Sequence, residues 1–128
     1  MTYRINPNWK IFCGFEINSQ HILTALDQTH SILDLLPATL YRNIDYKTTS
    51  SIVGSIFCAN LAITTNSIVN PIEKGHPDLI PQEGENSPEE ILRNYPVGLE
   101  VKSTIGNVIK GAKIKAGNPR VQSLTSIT

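Results

Sequence analysis

Hydrophobic residues at helical spacing mark the first half of the chain. One set recurs at spacings of four, seven and three residues: Ile22, Leu26, Leu33 and Leu36. This period predicts a helix that has Asn18 or Ser19 as its N-cap. Pro37 ends the helix, because a proline cannot continue the backbone hydrogen bonds.

A second helix is predicted over residues 48–65, TTSSIVGSIFCANLAITT. The stretch is apolar nearly all round, which is typical of a helix inside a domain. Its small residues would let a second backbone come close: Gly54, Ser55, Ala59 and Ala62. The pair Asn70-Pro71 stops the helical pattern.

In the second half the period changes to that of strands. The segment HPDLIP, residues 76–81, is short and lies between Gly75 and Pro81, which suits a strand. The segment VGLEVKST, residues 97–104, alternates apolar and other residues, so the two sets point to opposite faces. One face carries Val97, Leu99 and Val101, and the other carries Gly98, Glu100 and Lys102.

A short helix is predicted between these strands, over SPEEILRN at residues 87–94. Ser87 can cap it, Pro88 fits the first helical position, and Glu90 completes a capping box. Beyond the second strand, residues 105–120 fit a loop, a hairpin or a weak strand, and VQSLTSIT at residues 121–128 has the β-branched content of a strand.

Length and composition favour one compact domain. The chain has 128 residues, 40% hydrophobic and 17% charged, and we expect a mainly helical part over residues 1–70 and a sheet part over residues 71–128. No apolar run approaches the roughly 18 residues of a membrane span, and the N-terminus lacks the features of a secretory signal. We therefore expect a cytoplasmic protein that does not enter a membrane. Cys13 and Cys58 lie too far apart to suggest a zinc site or a disulfide framework, so both are expected to be buried free thiols.

The formal net charge is zero, but the charge is unevenly distributed. Residues 73–100 contain seven acids against two bases, whereas residues 101–128 contain five bases and no acid. This polarity fits a metal site beside a phosphate-binding surface. It equally fits two neighbouring segments that neutralise each other.

Two carboxylates and a lysine form the candidate chemical site. Glu100 and Lys102 are two residues apart on a predicted strand, so they share a face about 6.6 Å apart at roughly 3.3 Å per residue. If the strand that Asp78 opens is an antiparallel neighbour, both carboxylates meet at one end of the sheet. Their mutual repulsion would be removed by Mg²⁺, which takes oxygen ligands. The lysine could orient or help deprotonate an attacking water, or stabilise negative charge on phosphorus.

The motif Pro77-Asp78, followed by Glu100-Val101-Lys102 in apolar surroundings, resembles the PD-(D/E)xK nuclease superfamily. GHPDLIP before GLEVKST is most similar to type II restriction endonucleases. The resemblance covers about residues 48–104 and implies an α/β (α+β) fold, with a mixed sheet flanked by helices. It implies Asp78 and Glu100 as Mg²⁺ ligands and Lys102 as the catalytic lysine of an endonuclease that hydrolyses phosphodiester bonds in double-stranded DNA. Some members add an acid from the preceding helix, for which Glu73 is the candidate here.

The chain departs from this family at its C-terminal end, where it is expected to be incomplete. A nuclease core has a further helix and strand after the lysine, and a homodimer could complete the sheet. Basic residues in this last segment could follow a DNA backbone: Lys110, Lys113, Lys115 and Arg120. A solvated surface would explain them equally well.

Alternatives remain for each part of the site. Glu100 and Lys102 could form a structural salt bridge, and the whole chain could be a non-catalytic DNA-binding or interaction module, a truncated remnant of a nuclease. The triplet Asp45-Tyr46-Lys47 also fits the acid-x-lysine pattern, but no apolar strand surrounds it. His76 could contact a phosphate or a water or be merely exposed, and Ser103 could bond a phosphate or simply favour a strand.

Overall fold

Helices and two small sheets make up the described part of the protein. The structure is a computed structural model, and it describes residues 5–103 together with the backbone of residues 121–125. In chain order the elements are β1 (Lys10–Phe12), β2 (Glu16–Asn18), α1 (Ser19–Asp34), α2 (Ala38–Asn43), α3 (Tyr46–Thr65), β3 (Ile68–Val69), β4 (Leu79–Ile80), a 3₁₀ turn (Gln82–Gly84), α4 (Glu89–Leu92), β5 (Gly98–Lys102) and β6 (Val121–Thr125). The predicted mixture of helices and strands is confirmed. The specific restriction-endonuclease fold stays a prediction.

An N-terminal hairpin was not predicted. Strands β1 and β2 pair antiparallel with Ile11 opposite Ile17. Gly14 lies between them with a φ of +91°, and a side chain there would collide with Pro81 and Val97. The hairpin therefore packs against the second half of the chain, and the part expected to be mainly helical also contains β structure.

Helix α1 has the cap that the sequence predicts. The Asn18 side chain accepts a hydrogen bond from the His21 backbone N–H at 2.9 Å, and the Asn18 backbone N–H donates to His21 Nδ1 at 3.1 Å. This reciprocal pair satisfies two backbone donors at the helix start. The helix ends at Asp34, shortly before Pro37, as predicted.

Helix α3 begins two residues before the predicted start. Asp45 caps it by accepting from the Thr48 backbone N–H at 2.7 Å. The triplet Asp45-Tyr46-Lys47 therefore marks a helix start and is not part of a strand. The helix ends at Thr65, where Asn66 adopts the left-handed conformation with a φ of 58°.

The core lies where α1, α3 and the larger sheet meet. Phe57 and Leu61 of α3 are fully buried, and they cluster with Leu79, Leu99 and other apolar side chains. None of the described helices is long and apolar enough to cross a membrane.

A buried polar contact links the two long helices within this core. Asn60 Nδ2 of α3 donates to Thr29 Oγ1 of α1 at 3.1 Å, and the Thr29 hydroxyl donates to the Ala25 carbonyl at 2.7 Å. Both polar side chains are thus satisfied in the interior, as buried groups need to be.

The larger sheet is mixed, as predicted, with the strand order β3-β4-β5-β6. Strands β3 and β4 are antiparallel, β4 and β5 are antiparallel through the pair Leu79 and Leu99, and β5 and β6 are parallel. Helix α4 lies between β4 and β5 in the chain. The condition under which the two predicted carboxylates meet is therefore fulfilled.

The predicted capping box of α4 is wrong. The helix covers only Glu89–Leu92, its N-cap is Pro88 with extended dihedral angles, and no side chain caps it. Pro88 itself is extended, with a φ of −64° and a ψ of 156°, and takes the cap position, so Ser87 lies one residue too early to cap the helix.

Buried and exposed residues of α3 should contribute very differently to the free energy of unfolding. Replacing Leu61, which is fully buried, by Ala should lower the free energy of unfolding by about 2–5 kcal/mol. Ile63→Ala on the same helix, at a side chain that is 75% exposed, should change it by no more than about 0.5 kcal/mol. Urea denaturation followed by circular dichroism measures both, and equal losses would contradict the packing described for α3.

Candidate functional site

Asp78 and Glu100 face each other across the β4–β5 pair. Leu79 of β4 pairs antiparallel with Leu99 of β5. Asp78 directly precedes β4 and Glu100 directly follows Leu99, so the two acids flank this pair on the same side. Asp78 Oδ2 also accepts a hydrogen bond from the Val101 backbone N–H at 2.8 Å. The structure thus brings the two predicted acids together.

Asn70 fixes the backbone that carries Asp78. This buried side chain donates from Nδ2 to the Pro77 carbonyl at 3.2 Å and to the Leu92 carbonyl at 2.8 Å, and its Oδ1 accepts from the Ile72 N–H at 3.3 Å. Its own backbone N–H donates to the Asp78 carbonyl at 2.7 Å. One amide therefore ties the loop before β4 to the end of α4.

Gly75 leaves the space that this amide occupies. A Cβ atom built on Gly75 would overlap the Asn70 side chain. No left-handed backbone is involved at Gly75, so the requirement for glycine here is one of space and not of dihedral angle. Asn70 and Gly75 consequently act as one unit in positioning Asp78.

His76 is the contact partner of Glu100. His76 Nδ1 lies 2.9 Å from Glu100 Oε2, with the two side chains 44% and 21% exposed. That separation suits an ion pair with protonated histidine, yet Oε2 is buried and accepts no hydrogen bond of good geometry. Oε2 thus lies close to His76 without a well-directed hydrogen bond, because direction as well as distance determines such a bond. Glu100 pairs with His76 here, so the alternative of a Glu100–Lys102 salt bridge is not formed.

The pKa of Glu100 is raised above its usual value. Burial of the carboxylate is the largest cause, and the negative charge of Asp78 adds to it, whereas His76 acts in the opposite direction. A like charge and partial burial both disfavour the ionised form. The folded protein therefore disfavours the ionised form of Glu100.

Lys102 lines a groove that also includes Asp78. The groove has a volume of about 510 Å³ and runs between the end of β5 and helix α3. Lys102 itself is exposed, so its ammonium group is accessible from solvent. The structure therefore places the predicted lysine on the same groove as one of the two acids.

Ser103 joins β5 to α3 at this groove. Its hydroxyl donates a short hydrogen bond to the Ser50 carbonyl. A Cβ atom on Gly54 would lie 3.0 Å from Ser103 Oγ, so glycine at this position allows the close approach. The hydroxyl is thus engaged by backbone, and the interpretation of Ser103 as a phosphate ligand is not supported.

Both cysteines are buried free thiols, as predicted. Burial, together with the nearby negative charges of Asp78 and Glu100, raises the pKa of Cys58 to about 12. Burial likewise raises the pKa of Cys13 to about 11. Cys58 lines the groove, but as a neutral thiol it is a poor nucleophile.

Of the remaining predicted residues, Glu73 does not join the site. Glu73 is exposed in a turn after β3. Since α3 has already ended at Thr65, the expected additional acid does not come from a helix. The basic residues Lys110, Lys113, Lys115 and Arg120 lie outside the described residues.

The donor set fits magnesium more closely than a softer metal. Within residues 5–103, no three His, Cys, Asp or Glu side chains are grouped so that they could hold a metal. Mg²⁺ is commonly bound by one or two carboxylates, with waters and substrate phosphates completing its coordination. Asp78 and Glu100 supply two such carboxylates, and the unsatisfied Oε2 of Glu100 is an oxygen that a cation would stabilise.

Comparisons of the chain with protein-family models, curated proteins and solved structures find no match. The features of the structure that bear on function are therefore the Asp78–Glu100 pair and the groove beside it.

Two substitutions test the role of Asn70 and Gly75. Gly75→Ala should lower the free energy of unfolding by about 1–3 kcal/mol, because the new methyl group displaces a buried amide from its hydrogen bonds. In the background of Asn70→Ala the same change should cost much less, since the colliding side chain is gone. A double-mutant cycle by chemical denaturation measures this coupling, and additive losses would show that the two residues act separately.

The raised pKa of Glu100 predicts a pH-dependent stability difference. Ionised Glu100 is disfavoured in the folded state, so stability present at low pH is lost as the pH rises through its folded pKa. Glu100→Gln, which cannot ionise, should therefore unfold less readily than the unchanged protein at pH 7 without divalent cations. The advantage should disappear below the usual value of 4.5.

Glu83→Gln provides the control for this experiment, because Glu83 is an exposed acid of the 3₁₀ turn. Denaturation curves between about pH 3 and pH 8, a span that begins below the usual carboxyl pKa and ends well above it, measure all three proteins. A Glu100→Gln protein that is less stable at neutral pH would contradict the electrostatic account of this pair.

Proposed function

We propose that the protein is a Mg²⁺-dependent endonuclease of restriction type that hydrolyses phosphodiester bonds in double-stranded DNA. One observation carries the proposal: Asp78 and Glu100 are opposed across the β4–β5 pair. Lys102, two residues after Glu100, lines the same groove as Asp78. These are the three residues for which the motif implies catalysis.

The unfavourable electrostatics of the Asp78–Glu100 pair support a functional role. Two carboxylates lie together, one with a raised pKa and a buried oxygen that lacks a well-directed partner. Groups strained in this way occur preferentially at functional sites, although structural networks also perturb pKa values. A divalent cation between the carboxylates would remove the repulsion and satisfy the oxygen.

The chain's own side chains have separate tasks in this proposal. Asp78 and Glu100 would present oxygen ligands, and His76 would keep Glu100 oriented through its contact at 2.9 Å. The Lys102 ammonium group, facing the groove, would hold the attacking water or stabilise negative charge on the phosphate oxygens. Mg²⁺, when bound, would supply Lewis-acid stabilisation of the phosphate and a more acidic water.

The homodimer and the cytoplasmic location belong to the same proposal and stay predictions. Cutting both strands of a duplex needs two active sites or two successive cuts, which is the reason for expecting a pair of chains. The basic residues Lys110, Lys113, Lys115 and Arg120 are proposed to contact DNA.

Conservative substitution of the acids tests the proposed activity. Asp78→Asn and Glu100→Gln should each lower Mg²⁺-dependent cleavage of linear duplex DNA by at least about 100-fold, because each removes a ligand charge. Asn is preferred to Ala at residue 78, since its amide oxygen can still accept the hydrogen bond from the Val101 N–H. Glu83→Gln is the matched control and should cut at the normal rate.

Two results would count against this function. Cleavage that survives both acid substitutions would show that the site lies elsewhere. Salt-dependent DNA binding without any cleavage, unaffected by Asp78→Asn, would favour the alternative of a non-catalytic DNA-binding module.

A further inference from the structure

One face of α3 is polar and open, although the opposite face forms the core. Residues at helical spacing along this open face line the groove: Lys47, Ser50, Ser51, Gly54, Ser55 and Cys58. Such spacing of three and four residues places side chains on one side of a helix. Lys47, Ser51 and Ser55 are exposed there. A helix that was expected to be buried nearly all round thus presents one small and hydroxylated surface.

The opposite wall of the groove comes from the proposed catalytic strand. Lys102 of β5 and Asp78, just before β4, line it, and the hydrogen bond from Ser103 to the Ser50 carbonyl holds the two walls together. The groove therefore reaches Asp78 of the Asp78–Glu100 pair and is fixed in width at one point. Its volume of about 510 Å³ is within the range of roughly 300–1,000 Å³ found for ligand sites.

The chemistry of the lining fits a phosphate backbone. Two lysines line the groove, Lys47 from α3 and Lys102 from β5, together with the α3 serines Ser50, Ser51 and Ser55. Lysine, serine and threonine side chains are common donors to the phosphate oxygens of DNA. Among the residues that the structure describes, no aromatic side chain lines the groove, and these residues offer no surface on which a base could stack.

We infer that this face of α3 binds the sugar–phosphate backbone of a DNA strand beside the cleavage site, with Lys47 as a phosphate-binding residue. The inference rests on the proposed function and adds the path that the substrate takes to it. Lys47 contacts phosphate from α3 while Lys102 acts from β5. The Asp45 carboxylate near Lys47 accepts from the Thr48 N–H as the helix cap, and none of the ion pairs in the described part of the chain joins it to Lys47.

Binding without divalent cations tests this inference separately from cleavage. A fluorescent 20-bp duplex, about two turns of DNA, is titrated in EDTA at several salt concentrations. Lys47→Ala should weaken binding by about three- to tenfold at low salt and make the slope of log K against log salt less steep by about 0.9, the effect of one lost phosphate contact. Lys10→Ala, at an exposed lysine of β1 outside the groove, should change neither quantity appreciably.

A second pair of variants places a negative charge in the groove and outside it. Ser55→Glu should weaken duplex binding by more than tenfold at low salt, because a carboxylate then faces the phosphates. Ser31→Glu on α1, also at an exposed serine, should leave binding within about twofold, since Ser31 does not line the groove. Circular dichroism of each variant checks that it is folded.

Three outcomes would overturn the inference. The first is equal loss of affinity and slope in Lys47→Ala and Lys10→Ala, and the second is equal loss in Ser55→Glu and Ser31→Glu. The third is an unchanged protein that does not bind the duplex at low salt. Loss of binding in Lys47→Ala with no cleavage by the unchanged protein would uphold the groove and reject the nuclease, so the two proposals fail in different ways.

Discussion

The pairing of β4 with β5 is the contact on which the proposed site depends. Strand β4 has only two residues, so few ladder hydrogen bonds hold its register, and a slip by one residue would turn its side chains to the other face. Gly98 helps to prevent this. It has a φ of +147°, and any side chain there would collide with the Leu79 carbonyl and Pro77. The close approach that only glycine permits keeps Leu79 opposite Leu99 and, with it, Asp78 opposite Glu100.

Polar side chains supply the support that a longer strand would otherwise give. Asn70 holds the loop before β4 through three side-chain hydrogen bonds, and the Asp78 carboxylate itself bonds the backbone of β5. Asp78 is thus both a proposed metal ligand and a hydrogen-bond acceptor that supports the fold. Asp78→Asn removes the charge but can keep the hydrogen bond, whereas truncation to alanine removes both. Glu100 contacts the His76 side chain, and its ionised form is disfavoured. The core between α1 and α3 must offset that cost, since a domain has only about 5–15 kcal/mol of net stability.

Local signals in the sequence predict much of this fold, and long-range contacts account for what they miss. The period of apolar residues gives α1 and α3, and alternation gives β5, with Glu100 and Lys102 on one face. The hairpin of β1 and β2 also has a local pattern, although it is not among the predicted elements. Apolar residues alternate there over a short stretch, Ile11, Cys13, Phe15 and Ile17, and the last three are buried. The roles of Asn70, of His76 and of the α3 groove depend on residues that are 22, 24 and 53 positions apart. No short-range pattern announces these contacts, since they exist only once the sheet and helices have packed.

The two acid-x-lysine triplets show how the backbone decides what a motif can do. In a strand, residues two apart share a face, so Glu100 and Lys102 can act on one substrate. In a helix, residues two apart diverge by about 200° at 3.6 residues per turn, and Asp45 accordingly caps α3 while Lys47 turns towards the groove. The triplet at residues 45–47 is therefore no second active site. Its lysine nevertheless lies on the same groove as Lys102, because α3 packs beside β5 and the Ser103–Ser50 contact joins the two elements. The fold thus brings Lys47 to the groove although the helix start around it gives it no place in a catalytic strand. This is the physical reason for proposing that Lys47 binds substrate and takes no part in catalysis.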